Sequence, residues 1–182
     1  LLEEDLRDVD GNVESRSGTV SLFNGVEPEF ALCGTLEAER IRVSKWLTDQ
    51  LSAGVAANSC CLIVRSAAEV ERAVAIVRNA GAAATILDSE ALVPSGHVAV
   101  ATMPLVKGLE FRSVAVIACD SGIIPSDDRL EAVTDEADLE EIYATERQLL
   151  YVAVTRARDT LLISCGGEPS EFVEDLRPRG AS

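Results

Sequence analysis

Residues 60–87, CCLIVRSAAEVERAVAIVRNAGAAATIL, decide the fold class. Cys60–Val64 is a continuous apolar run, the pattern of a strand covered on both faces. Ala67–Ala80 then places Val70, Ala73, Val74 and Val77 on one helical face, with Gly81 past the helix end. Ala83–Leu87 is a second apolar run of strand length. Strand, helix and strand in close succession form a βαβ unit, and such units build parallel sheets.

The same rhythm extends in both directions. Downstream, Val98–Met103 and Ser113–Cys119 read as strands, the second followed by Asp120-Ser121-Gly122. Residues 121–136 read as a Pro/Asp-containing loop. Asp138–Thr155 reads as a long helix, with Leu139, Ile142, Tyr143, Leu149, Leu150, Ala153 and Val154 at spacings of three and four. Leu161–Ser164 is a last strand and Ser170–Leu176 a last short helix. Upstream, Thr35 is placed to N-cap a helix over Leu36–Leu51, which Gly54 ends. Val20–Phe23 and Glu29–Cys33 read as short strands around Asn24-Gly25. Residues 1–18 are charged and Gly/Ser-punctuated, a frayed lead-in or the tail of a truncated helix. The expected organisation is a lead-in or truncated linker over 1–30 and one α/β domain over 31–182. That domain has a mostly parallel sheet with helices on both faces. The strand ends near 102–110 and 156 are expected to gather at one rim of the sheet, since ligands of open α/β sheets bind at the carboxyl ends of strands. No internal repeat interrupts the pattern.

Bulk composition narrows the classes. The chain has 182 residues, enough for a domain with a real core, and 47 % of them are apolar, so wholesale disorder is excluded. The longest apolar runs are too short to span a bilayer. The acidic first ten residues are unlike a signal peptide, and a cytoplasmic location is expected. The chain opens at Leu1 rather than Met, as an excised piece would. Five cysteines, with no CxxC, read as buried reduced thiols. A single histidine, His97, leaves almost no material for a zinc site or a Ser-His-Asp triad, and no metal site is expected. The formal charge of −15 predicts weak nucleic-acid binding by this chain alone, because phosphate neutralisation supplies much of that affinity.

Two segments carry chemistry. In Thr102–Phe111, TMPLVKGLEF, a strand ends and a Lys-Gly pair and an acidic residue follow. Gly108 allows close approach of the backbone to a ligand, and Glu110 is suited to accept from a ribose hydroxyl. A solvated loop with a salt bridge fits the same residues. In Glu146–Arg158, ERQLLYVAVTRAR, an apolar helix delivers Thr155, Arg156 and Arg158 at its C-terminal end. Arginines there suit the helix dipole. They equally suit an arginine finger, a planar and always charged group reaching a transferring phosphoryl.

In combination, KGLEF (107–111) followed by LLYVAVTRAR (149–158) resembles motifs V and VI of UvrD/Rep-type superfamily 1 DNA helicases. CCLIVRSAAEVER (60–72) and the helix over 37–51 resemble the segments that precede those motifs. GEPSEF (167–172) is similar to a Gly-x-Pro-Ser-x-Phe ending. The resemblance covers roughly residues 30–176. It implies a C-terminal RecA-like motor domain of the P-loop NTPase type, without a phosphate loop of its own. It also implies roles. Arg156 matches the arginine that contacts the γ-phosphate across the cleft. Glu110 matches the acidic residue near the nucleotide ribose, with Gly108 and Arg158 on the same ATP side. Thr102 matches a contact to the phosphate backbone of single-stranded DNA, with Met103 and Lys107 beside it. Glu146, Arg147 and Tyr151 support motif VI. ATP with Mg²⁺, single-stranded DNA and an N-terminal RecA-like domain of the same protein are the implied ligands and partners. Pathways such as DNA repair, recombination and plasmid replication are all compatible.

One residue departs from the family pattern: Pro104 stands where His is usual. Proline has no N–H to donate, and it pushes Met103 toward an extended conformation. The phosphate loop Gly-x-x-x-x-Gly-Lys-Ser/Thr is absent, since the only lysines are Lys45 and Lys107 and neither sits in it. The run VAVIACD (114–120) imitates a Walker B strand without the loop it would serve. Two other readings compete: a non-catalytic interaction module that retains the fold, and a nucleotide-binding regulator.

Overall fold

The apolar runs form the centre of one six-stranded sheet. A computed structural model describes residues 5–7, 13–15, 26–88, 92–131, 133 and 135–177. In it β3 (Glu29–Leu32), β4 (Cys60–Val64), β5 (Ala83–Ile86), β6 (His97–Thr102), β7 (Phe111–Val116) and β8 (Ala157–Cys165) lie in the order β3-β8-β7-β4-β6-β5. Every pairing is parallel. All five residues of β4 are buried, because it lies between two strands and under helices on both faces.

Alternate side chains feed two cores. On one face Leu62, Val64 and Val100 pack with Trp46 and Leu47 of α1 (Leu36–Ser52) and with Val77 of α2 (Val70–Asn79). On the other, Cys61, Ile63 and Val116 pack with Leu150 of α4 (Glu136–Val154) and Phe172 of α5 (Glu171–Leu176). Thr35 does cap α1: its side chain accepts from Ala38 N at 3.1 Å, a contact worth about 1 kcal/mol. Asp135 caps α4 in the same way, so the helix starts at Glu136 rather than Asp138. Gly81 ends α2 at φ +77, where a Cβ is disfavoured.

Several expectations are corrected. The interval 121–136 holds a short helix, α3 (Asp127–Glu131). The segment after Ser66 opens with a 3₁₀ turn, Ala67–Glu69, before α2 begins. The sixth strand ends at Thr102, and Met103–Val106 is another 3₁₀ turn, with Pro104 in its first turn. The seventh strand stops at Val116 because Ala118 takes φ +58 and turns the chain out of the ladder. The described residues of the lead-in are strands rather than the tail of a helix: β1 (Asp5–Arg7) and β2 (Val13–Ser15) pair antiparallel. The strand expected at Val20–Phe23 lies outside the described residues. No helix among the described residues is long and apolar enough to cross a membrane.

The strand ends do not gather at one rim. Thr102 is aligned with Val64 at the carboxyl end of the sheet. Phe111 is aligned with Ala157 at the amino end. Only residues 103–110 connect β6 to β7, and they run the length of the sheet on the face of α4, where Met103 and Val106 join Leu150 and Ala153 in the core. The 3₁₀ turn Met103–Val106 rises about 8 Å and the four residues after it reach up to about 14 Å, together enough to span a six-residue strand of roughly 20 Å. Thr102 and the turn before Phe111 therefore lie at two separate rims of the sheet.

The cysteines occupy the core as thiols. Cys60, Cys61, Cys119 and Cys165 are buried and Cys33 is partly so. Burial pushes the Cys60 and Cys165 thiols up from 9.0 to about 11 and Cys61 further still, and it raises Cys119 well above its ordinary value. A thiol held neutral in the fold ionises first in the unfolded chain. Its contribution is thus complete below pH 9 and is lost as the pH rises from 9 toward about 11. Urea denaturation across this window is expected to show a steadily falling midpoint; a flat midpoint to pH 11 contradicts the assignment.

Candidate functional site

The amino rim is assembled by α4 and the turn before β7. The helix ends at Val154, with Thr155 as its C-cap, and Arg156 follows immediately, just before β8. Arg156 is half-buried rather than packed into the core. Its backbone carbonyl accepts from Phe111 N at 2.9 Å. Its guanidinium donates from Nη1 to the Leu109 carbonyl at 3.1 Å, from Nε to the Val152 carbonyl at 3.0 Å, and from Nη2 to Thr155 Oγ1 at 3.2 Å. Glu110 is thus bracketed by two residues that bond Arg156, and its own side chain is exposed. Segments 45 to 47 positions apart meet here through two hydrogen bonds.

Gly108 sits in the same turn at φ +84. An added Cβ would meet nothing within 4 Å, so backbone conformation and not crowding is what requires glycine. Lys107 and Arg158 are exposed at this rim. Arg112 is engaged with Asp159 at 2.7 Å. The rim therefore holds one oriented guanidinium with five N–H groups, three of them committed to protein oxygens, and an exposed carboxylate next to it. Such a pair can donate to phosphoryl oxygens and accept from a hydroxyl.

The carboxyl rim is different in kind. Thr102 is half-buried at the end of β6. Met103 is fully buried under α4, which corrects its assignment: its side chain offers no surface to DNA. The adjacent strands β4 and β7 send their chains to opposite sides, β4 toward β5 and β7 toward β8. Sheets of this type place ligand crevices at such a switch point. A crevice of about 540 Å³ lies there, lined by Arg65, Ser66, Glu69, Gly122, Asp127 and Arg129.

Two fully buried carboxylates organise this rim, and sequence reasoning missed their partners. Glu146, fully buried on α4, accepts from Arg65 Nε and Nη2 at 2.5 and 2.6 Å and from Arg129 Nη1 at 2.7 Å. Glu39, fully buried on α1, accepts from Ser164 Oγ at 2.7 Å, Ala118 N at 3.1 Å and Arg72 Nε at 2.7 Å. Arg72 Nη2 closes the same ion pair. Its Nη1 reaches Asp120 at 2.7 Å, and Asp120 in turn accepts from Gly166 N and Gly167 N at 2.7 Å each. The available signal was Arg65 directly after the run CCLIV and Asp120 directly after VAVIAC, polar residues at the mouths of central strands. Of the supporting residues expected around Arg156, Arg147 lies 5.3 Å over the Phe172 ring and Tyr151 is exposed.

Comparison with known proteins bears on this arrangement. The profile of the UvrD-like helicase C-terminal domain matches residues 75–167, just over half of the chain. Over 61 residues, 32 % of this chain and 8 % of the relative, the chain is 52 % identical to the "Putative ATP-dependent DNA helicase YjcD" of Bacillus subtilis (strain 168). Over 94 residues, 46 % of this chain and 12 % of the relative, it is 35 % identical to the "ATP-dependent DNA helicase PcrA" of Leuconostoc citreum. The chain therefore spans only a small part of these curated relatives. Among solved structures it is similar to the C-terminal domain of a possible DNA helicase from Lactobacillus plantarum WCFS1. The TM-score is 0.61 at 25 % identity, covering 84 % of this chain and 82 % of that one.

Proposed function

This chain belongs to the UvrD-like helicase C-terminal domain family, and on that premise we propose that it is the second motor domain of an ATP-dependent DNA helicase or translocase. Arg156 is its arginine finger, and Thr102 belongs to its single-stranded DNA track. The observation that carries this reading is the junction of the Gly108–Phe111 turn with Arg156 at one rim, while Thr102 stands at the other. One rim serves the nucleotide and the other serves DNA, and α4 and residues 103–110 run between them.

The residues at the amino rim fit an ATP phosphate and ribose. Arg156 donates to a γ-phosphoryl oxygen through the N–H groups that its own chain leaves unused, and Glu110 accepts from a ribose hydroxyl. Arg158 adds positive charge. ATP supplies the transferring phosphoryl group when bound. Magnesium has no cage here: among the described residues no three His, Cys, Asp or Glu side chains gather to hold a metal. The N-terminal RecA-like domain is the partner that cradles the phosphates and the ion. Lys107 shapes the turn between the two rims.

An interaction module that keeps the fold without the motor is the second reading. Pro104, which cannot donate at the carboxyl rim, and the net charge of −15 favour it. A phosphate-loop segment encoded upstream in the same gene selects the motor reading, and its lack selects the module. The purified 182-residue chain is expected to show no ATPase activity and only weak, salt-sensitive binding to single-stranded DNA. Robust turnover by this chain alone, in a coupled ATPase assay, overturns the division of labour.

A further inference from the structure

The Thr155 hydroxyl does two things at once. It donates to the Val152 carbonyl at 2.9 Å and accepts from Arg156 Nη2 at 3.2 Å. The same Val152 carbonyl accepts Arg156 Nε at 3.0 Å. Thr155, Val152 and the guanidinium edge therefore close a small ring of hydrogen bonds. On the far side of the guanidinium, Nη1 is tied to the Leu109 carbonyl at 3.1 Å. A planar group held at Nε, Nη1 and Nη2 has one allowed plane. Without the Nη2 bond, rotation about Cζ–Nη2 and swinging of the side chain both become easier, and the two uncommitted N–H groups lose their fixed directions.

The backbone around this ring is itself anchored. Thr155 N donates to the Tyr151 carbonyl at 3.1 Å, and Arg156 N donates to Ala153 O at 3.1 Å. The cap residue has ordinary helical dihedrals, φ −76 and ψ −1, which most residues adopt. Local conformation does not call for threonine, and a hydroxyl is not needed to end the helix. The feature of Thr155 that its surroundings use is the oxygen against Arg156.

We propose that Thr155 is a positioning residue for Arg156, its hydroxyl orienting the guanidinium for the γ-phosphoryl group. This rests on the finger role of Arg156 proposed above. Serine keeps the oxygen and loses a methyl group; valine keeps the shape and loses the oxygen.

Two measurements on three variants separate the possibilities. In this 182-residue chain, the side-chain N–H resonances of Arg156 report guanidinium rotation by NMR. Parental and Thr155→Ser chains are expected to show slowed rotation, and Thr155→Val an averaged signal. Unchanged rotation in Thr155→Val removes the orienting role whatever Arg156 does. In the ATP-hydrolysing protein that carries this domain, Thr155→Val is expected to lower DNA-stimulated kcat by about ten-fold with KM for ATP nearly unchanged. Thr155→Ser stays near parental, and Thr155→Val added to Arg156→Ala lowers the rate no further. An equal loss in the Ser and Val variants, or a further loss on the Arg156→Ala background, shows that the effect does not pass through this oxygen and overturns the proposal. Parental turnover in Arg156→Ala overturns the finger reading itself, and the positioning role falls with it.

Discussion

Replacing Arg156 with Ala in the ATP-hydrolysing protein is expected to abolish DNA-stimulated turnover while leaving ATP binding intact. Finger arginines contribute on the order of 10³–10⁵ in rate in related NTPases, because the guanidinium meets charge that develops as the phosphoryl group transfers. Its contribution lies in the transition state, so kcat falls and the affinity for ATP barely moves. The position of Arg156 supports a selective effect. It is half-buried outside the core, and its three protein bonds go to two backbone carbonyls and one hydroxyl at the helix end. Losing them leaves surface carbonyls that water can satisfy, so stability changes little. Lysine is a poor substitute, since a point charge cannot hold the Nε, Nη1 and Nη2 contacts together. A single-strand-stimulated ATPase assay, paired with nucleotide binding by equilibrium titration, checks both halves. Turnover within a few-fold of parental removes Arg156 from the mechanism.

Glu39→Ala is expected to have the largest effect on stability. The carboxylate is fully buried and accepts from a backbone N–H, a hydroxyl and a guanidinium. Removing it strands the Arg72 charge with Asp120 as its remaining partner, and leaves Ser164 Oγ and Ala118 N without their acceptor. Breaking a buried ion pair from one side costs about 3–5 kcal/mol. Domains of this size have about 5–15 kcal/mol in total. The loss is also directed. Ala118 is held in the left-handed region at φ +58, where its N–H donates to Glu39. That bend turns β7 into the loop carrying Asp120, which in turn receives Gly166 and Gly167. Urea denaturation of the isolated chain should show Glu39→Ala largely unfolded or close to it, with Glu39→Gln intermediate, because the amide keeps an acceptor and loses the charge. A midpoint within about 1 kcal/mol of parental means the network does not hold the carboxyl rim.

Both residues show why the site was only partly legible beforehand. Arg156 and Glu110 stood out because they lie in short, unusual strings, TRAR and KGLEF, whose local order is preserved in the fold. Glu39 did not stand out. It falls among Leu36, Glu39, Arg40 and Val43 in a helix of mixed polarity, and a helical wheel cannot distinguish a solvated glutamate from a buried one. Its partners lie 33, 79 and 125 positions away. The same holds for Glu146, whose arginine Arg65 is 81 positions distant. Met103 was misplaced for a related reason. Adjacency to Thr102 suggested a shared ligand, but the chain leaves the strand there and turns the next side chain inward under α4.

By itself the sequence determined the class of fold and the identity of the rim residues. Apolar periodicity and capping are local, so CCLIV becomes a strand, Thr35 caps a helix, and VAVTRAR ends one wherever the chain goes afterwards. Only the tertiary structure decided which rim each residue reaches. Residues 103–110 could have turned back at the carboxyl end; packing of Met103 and Val106 under α4 carries them instead along the sheet to its amino end. Strand order and crossover are set by long-range burial, in which every contact depends on segments far apart in the chain, and no short window of residues contains that information.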